Sequence, residues 1–112
     1  MTQFTLYTSN YKGNLSNCLY PNKIVIKNED DMKEAIKFDH VTAEYKESYR
    51  SNSNFIKADN IPLDCDNDHS DDPKDWLTSV DVALEFSGVP FVVAYSRNHM
   101  KQKGNKAARP RF

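Results

Sequence analysis

Apolar and polar positions alternate through Phe4-Thr5-Leu6-Tyr7-Thr8, which predicts a first strand. Residues 9–23 carry Asn, Gly, Ser and Pro and read as a loop, with Leu19 and Tyr20 turned toward a core. A second short strand follows at Lys23-Ile24-Val25-Ile26-Lys27. Asn28 then stands where a helix cap belongs, with acids in the first turn. Met32, Ala35 and Ile36, continuing to His40, share one face at helical spacing. The spacing predicts a helix of about ten residues ending near Phe38. His40 reads as structural or exposed. Residues 41–54 are polar and predict a strand and loop framing a site, with Tyr45, Tyr49 and Arg50 among them.

The second half is patterned differently. Phe55-Ile56-Lys57-Ala58-Asp59 leads into Ile61-Pro62-Leu63-Asp64-Cys65-Asp66, an extended run in which Pro62 marks an irregularity or an edge. Trp76 is expected to anchor the turn 71–76. Thr78 or Ser79 caps a helix whose apolar face is Val80, Ala83, Leu84 and Phe86, and Gly88 stops it. Phe91-Val92-Val93-Ala94-Tyr95-Ser96 is nearly all apolar and predicts a central strand covered on both faces. The 112 residues fit one small α+β domain, a small mixed sheet with two or three helices.

Chemistry concentrates where the apolar run turns acidic. On an extended chain, residues two apart share a face, so Asp64 and Asp66 should converge, with Leu63 and Cys65 on the other side. Two carboxylates brought together need a cation or a proton between them. A hard divalent ion, Mg²⁺ or Mn²⁺, accepts such oxygens, often with phosphates completing its shell. A solvated acidic loop is the plain alternative. A calcium loop is another, because Asp64, Asp66, Asp68, Ser70, Asp72 and Asp75 fall on positions 1, 3, 5, 7, 9 and 12 of an EF-hand register. His69 in place of the turn glycine, Asp75 in place of glutamate, and Pro62 in the entering segment depart from that pattern.

The net charge of −1 conceals a segregation. From Asp59 to Glu85 there are nine acids and one lysine; from Arg97 to Phe112 there are six basic residues and no acid. An acidic site followed by a basic arm suits a polyanionic ligand. Lys and Arg in such an arm gain affinity for nucleic acid by counterion release, and Gly104 lets the segment wrap a phosphate. A solvated tail is the alternative. Cys18 and Cys65 form no zinc pattern and no disulfide framework. No apolar stretch approaches 18 residues, and Met1 to Asn10 lacks a signal-peptide core, which points to a cytoplasmic protein with no membrane partner.

Taken together, Ile61-Pro62-Leu63-Asp64-Cys65-Asp66-Asn67-Asp68, a helix, Val92-Val93-Ala94-Tyr95-Ser96-Arg97-Asn98-His99 and Lys106-Ala107-Ala108-Arg109-Pro110-Arg111-Phe112 resemble the archaeo-eukaryotic primase superfamily. The nearest likeness is to the primase-polymerase domains of phages, plasmids and integrated elements, and it covers about residues 50–112. The resemblance implies a partial, RRM-like primase-polymerase fold. It makes Asp64 and Asp66 the catalytic ligands of Mg²⁺ or Mn²⁺, and nucleoside triphosphates and a DNA template the partners, with room for a replicative helicase. In a second family motif, a residue, a spacer and a histidine meet nucleotide phosphates; Arg111 and Phe112 match its first two positions. The histidine would follow Phe112, and a third motif would supply another acid beyond it. The resemblance therefore implies the truncated N-terminal part of a DNA primase/polymerase, inactive or nearly so by itself. Arg109 and Arg111 would face triphosphate or template, and Arg97, Lys101, Lys103 and Lys106 would form a lid or template contact. An apolar strand edge left at 91–96 would favour self-association. A noncatalytic nucleic-acid-binding module and a calcium-binding structural domain are the alternative functions.

Overall fold

The computed structural model describes residues 3–112. Its architecture is α+β, with two helices and two small antiparallel sheets. The chain divides into two compact units, Met1–Pro62 and Leu63–Phe112.

In the first unit, β1 (Phe4–Thr8) is the middle strand of a three-stranded sheet. It pairs antiparallel with β2 (Asn22–Ile26) along its whole length, Phe4 opposite Ile26 and Thr8 opposite Asn22. On its other side Tyr7 and Thr8 face β3 (His40–Val41). Helix α1 (Glu29–Ala35) starts where the polar pattern predicts. The Asn28 side chain accepts the Asp31 N–H at 2.9 Å, and Asp31 in turn accepts the Lys27 N–H at 3.0 Å. Glu29, Asp30 and Asp31 place negative charge at the positive helix end. Leu6, Ile26 and Ala35 are buried together, flanked by Phe4, Ile24 and Met32. Full burial of Ile26 contributes on the order of 2 kcal/mol.

The helix stops at Ala35, short of Phe38. Lys37 and Phe38 bond three residues back rather than four, which tightens the last turn. The loop 9–14 then captures Asp39. Its backbone bonds Ser9 and Tyr11, and its carboxylate accepts the N–H of Gly13 at 2.7 Å and of Asn14 at 2.8 Å. Gly13 is held at a φ of 80°, open to glycine without strain. Tyr20 is buried as expected, while Leu19 is half exposed.

A separate two-stranded sheet pairs β4 (Ala43–Tyr45) with β5 (Phe55–Ala58), with an irregularity at Glu44/Tyr45. Asp59 fastens the segment after β5 to β1. Its carboxylate accepts the Thr5 N–H at 3.0 Å and the Thr5 hydroxyl at 2.7 Å, and Asn60 donates to the Thr5 carbonyl at 2.9 Å. Burial pushes the Asp59 carboxyl up, but the hydrogen bonds from Asn60 and Thr5 outweigh it and hold the group below its ordinary value. A depressed carboxyl stabilises the fold above its unfolded pKa, and that stabilisation is lost as pH falls through the folded value. Wild type should therefore lose stability more steeply than Asp59→Asn on acidification below about pH 4. Urea midpoints that fall in parallel for both proteins would contradict this role for Asp59.

In the second unit, helix α2 (Ser79–Glu85) follows the predicted cap. Thr78 N–H donates to Asp81 at 2.7 Å while Asp81 N–H returns to the Thr78 hydroxyl at 3.3 Å, a reciprocal box. Gly88, at a φ of 89°, ends the segment. The two strands expected at 61–66 and 91–96 are not ladders. Cys65 and Phe112 exchange one pair of hydrogen bonds, at 2.7 and 3.0 Å, and Ser96 N–H reaches the Arg111 carbonyl at 3.0 Å. Pro62 and Pro90 lack donors, and Asn67 turns the acidic run with a φ of 56°, so neither pairing propagates. Residues 91–96 are not covered on both faces either: Phe91 is 45% and Tyr95 56% exposed. Among the described residues this unit fully buries Asn67, Arg109 and Arg111 and no apolar side chain. No helix among the described residues is long and apolar enough to cross a membrane.

Candidate functional site

The acidic run 61–68, the apolar run 92–99 and the basic segment 106–112 meet inside the second unit. The bridge between Cys65 and Phe112 joins the acidic run to the Arg-Pro-Arg-Phe segment, and the Ser96 to Arg111 bond joins that segment to the apolar run. His99 completes the junction: its Nδ1 accepts the Arg111 N–H at 3.1 Å, so the neutral ring carries its proton on Nε2. The ring stacks on Tyr95 at 4.2 Å between centroids.

Asn67 organises the acidic turn. Its amide donates to the Leu77 carbonyl at 2.9 Å and the Pro110 carbonyl at 2.8 Å, while its oxygen accepts the Leu77 N–H at 2.8 Å. With Asn67 turned inward, Asp66 and Asp68 both approach Arg111. Arg111 Nη1 lies 2.9 Å from Asp68 Oδ1 and 3.8 Å from Asp66 Oδ1. The cation shared by two acids of the run is thus a guanidinium, and the acids are Asp66 and Asp68. Asp64 is exposed. Burial raises the Cys65 thiol pKa, and the nearby charges of Asp66 and Asp64 raise it further, against a lowering hydrogen bond from the Asn67 backbone.

Asp68 also meets Lys106 Nζ at 3.3 Å. Desolvation acts to raise its carboxyl, but the contacts and charges of Arg111 and Lys106 prevail and hold it below the ordinary value. Arg111 is 1% exposed, and its Nε, Nη1 and Nη2 have no well-directed hydrogen bond; the 2.9 Å approach to Asp68 is a charge contact. Lys106 sits at the base of a tight turn. Its backbone exchanges two hydrogen bonds with Lys103, at 3.0 and 3.1 Å, around Gly104 at a φ of 60°. The basic segment is therefore folded here, with Lys101 and Lys103 exposed. Arg97 is exposed in the turn that follows Ser96.

Arg109 departs from its expected place against a phosphate. It is 1% exposed, lies over the Trp76 ring at 4.9 Å, and donates to Ala107 O, Asn67 O, Ser70 O and Asp71 Oδ1. Four of its five donors are taken within the chain, which makes it the pin of the turn that Trp76 was expected to anchor. Trp76 contributes its own bond, Nε1 to the Ser70 carbonyl at 2.8 Å.

Asp64 and Asp66 offer hard oxygens, and the Asp66 side chain stays 45% exposed, which fits Mg²⁺ or Mn²⁺ with water or phosphate oxygens as further ligands. Among the described residues no three His, Cys, Asp or Glu side chains form a group that could hold a metal ion, and Asp64 with Asp66 supplies two carboxylates at most. Three members of the calcium register bond within their own turn. Ser70 donates to Asp75 Oδ2 at 2.7 Å and Asp72 Oδ1 accepts the Lys74 N–H at 3.0 Å. Asn67 and His99 were missed as site-builders; an Asn within an acidic run, a residue tolerant of positive φ, was the available signal for the first. Compared with family models, curated proteins and solved structures, the chain finds no match.

Proposed function

We propose that this chain carries the acidic and basic elements of a primase-polymerase type nucleotidyltransferase. What supports the reading is one observation: the three separated stretches that carry the resemblance are bonded to one another through Cys65–Phe112 and Ser96–Arg111. In this reading Asp64 and Asp66 hold Mg²⁺ or Mn²⁺, and the ion supplies charge neutralisation to a bound triphosphate when present. Lys106, half-exposed, orients the phosphates beside the acids, and Arg111, buried against Asp68 and Asp66, holds those acids in place. Lys101, Lys103 and Arg97 contact the nucleic-acid backbone from the folded basic segment. Arg109 holds the turn and does not touch ligand.

Because Asp64 and Asp66 supply two carboxylates at most, the 112-residue chain is expected to bind Mn²⁺ with a nucleoside triphosphate weakly and to polymerise little or nothing by itself. Mn²⁺ titration, followed by electron paramagnetic resonance with and without triphosphate, tests the reading. Asp64→Asn with Asp66→Asn should weaken triphosphate-dependent Mn²⁺ binding by at least about tenfold. Unchanged binding would sink the assignment. The ordered turn around Gly104 favours a second reading, a noncatalytic nucleic-acid module. DNA binding that falls with salt and survives the double substitution would select it.

A further inference from the structure

The chain has three histidines, and the contact each ring makes decides what a second proton does to it. His40 Nδ1 meets the Phe38 carbonyl at 2.9 Å, and His69 Nε2 meets the Asp75 carbonyl at 2.8 Å. A carbonyl only accepts, so both nitrogens donate, and both bonds survive protonation of the ring. His99 is the opposite case. Its Nδ1 faces the Arg111 backbone N–H at 3.1 Å, a group that only donates. That bond needs a nitrogen without a proton, and an imidazolium has none. Turning the ring over does not restore it, because no edge of an imidazolium accepts.

The bond lies where the turn after Ser96 is joined to the 109–112 segment. Ser96 N–H reaches the Arg111 carbonyl and Met100 N–H the Arg109 carbonyl, at 3.0 and 2.9 Å, and the His99 ring closes the same junction. Tyr95 stacks on that ring, and its hydroxyl meets Ser79 Oγ at 3.1 Å, at the start of α2. The 109–112 segment brings Arg111 to the ring, the 91–96 segment brings the Tyr95 phenol, and the ring's own turn carries the exposed cations Arg97 and Lys101. No Asp or Glu among the described residues bonds the ring, so no acid takes up the new charge. We propose that His99 is a proton-sensitive latch. Neutral, it holds the 109–112 segment in place, and with it Arg111 beside Asp66 and Asp68. Protonated, it releases the Arg111 backbone and loosens the aim of both acids. The latch stands on this geometry; that it governs a metal-binding acid, Asp66, rests on the nucleotidyltransferase reading. An imidazole changes charge between about pH 5 and 8. The junction has no place for the second proton and the unfolded chain takes it freely, so stability is greatest at the alkaline end of that range and falls on acidification.

Urea unfolding of the 112-residue chain at about pH 8 and about pH 5, followed by Trp76 fluorescence, tests the latch. The unfolding constant of the Leu63–Phe112 unit should rise about tenfold at the lower pH, the size of one lost hydrogen bond. His99→Asn keeps a neutral acceptor near the position of Nδ1 and does not titrate. Whatever its absolute stability, its unfolding constant should change by less than about twofold over the same range. His69→Asn, in the turn that Trp76 closes, should keep the wild-type pH dependence. Nitrogen-15 spectra of the wild type supply a readout that needs no variant. His99 should show a bare Nδ1 and a protonated Nε2 at the higher pH, and the Arg111 amide resonance should move with the same midpoint as the ring. Equal wild-type unfolding constants at both pH values, a His99→Asn protein that follows wild type, or an Arg111 amide that stays fixed while the ring titrates would each overturn the latch. These readouts use no metal or nucleotide, so their failure leaves the test of Asp64 and Asp66 untouched.

Discussion

Arg109→Ala is expected to unfold the Leu63–Phe112 unit, with a loss of about 3–5 kcal/mol. The unit has no buried apolar side chain among the described residues, and Arg109 occupies its centre. Truncation removes the cation from the Trp76 face, opens a cavity where the stem packed, and strands the carbonyls of Asn67 and Ser70. The partner carboxylate contributes little: Asp71 is 91% exposed, so Asp71→Asn should stay within about 0.5 kcal/mol of wild type. Arg109→Lys keeps the charge but not the fork that reaches several acceptors, and should recover little of the loss. Trp76 is the single tryptophan of the chain, so its fluorescence during urea unfolding reports on this unit directly. An Arg109→Ala midpoint equal to wild type would return Arg109 to the set of side chains available for phosphate.

Asn67→Ala is the second large effect, about 2–4 kcal/mol. Three hydrogen bonds to Leu77 and Pro110 disappear from a site that is 2% exposed. Alanine must also adopt the positive φ of 56°, which asparagine tolerates better. Asn67→Gly separates the two causes. It relieves the backbone while still losing the bonds, so it should fall between wild type and alanine. The same Trp76 signal reads all three proteins. If glycine and alanine unfold together near wild type, Asn67 does not hold the turn, and the approach of Asp66 and Asp68 to Arg111 needs another cause.

Local patterning and tertiary context divide this chain at about Pro62. In the first unit, β1, β2 and the start of α1 lie within a residue of the expected positions, because alternation and an asparagine cap act through neighbours in sequence. The end of α1 shifted because a distant loop, 9–14, draws Asp39 out of the helical path. In the second unit the Thr78 cap and the Gly88 stop were legible for the same local reason. The apolar run 91–96 was not. Its composition suits a covered strand, but coverage depends on what packs beside it, and here its face is open.

Sequence alone determined the α+β class, the capped helices, the first strands, and the gathering of acids ahead of a basic arm. Those features follow from the order of side chains a few residues apart. Only the tertiary structure decided which charges meet. Spacing paired Asp64 with Asp66, whereas the turn at Asn67 aims Asp66 and Asp68 at Arg111 and buries Arg109 against Trp76. The partners of a charge are separated by some forty residues of chain, and a single positive φ decides which face each acid shows.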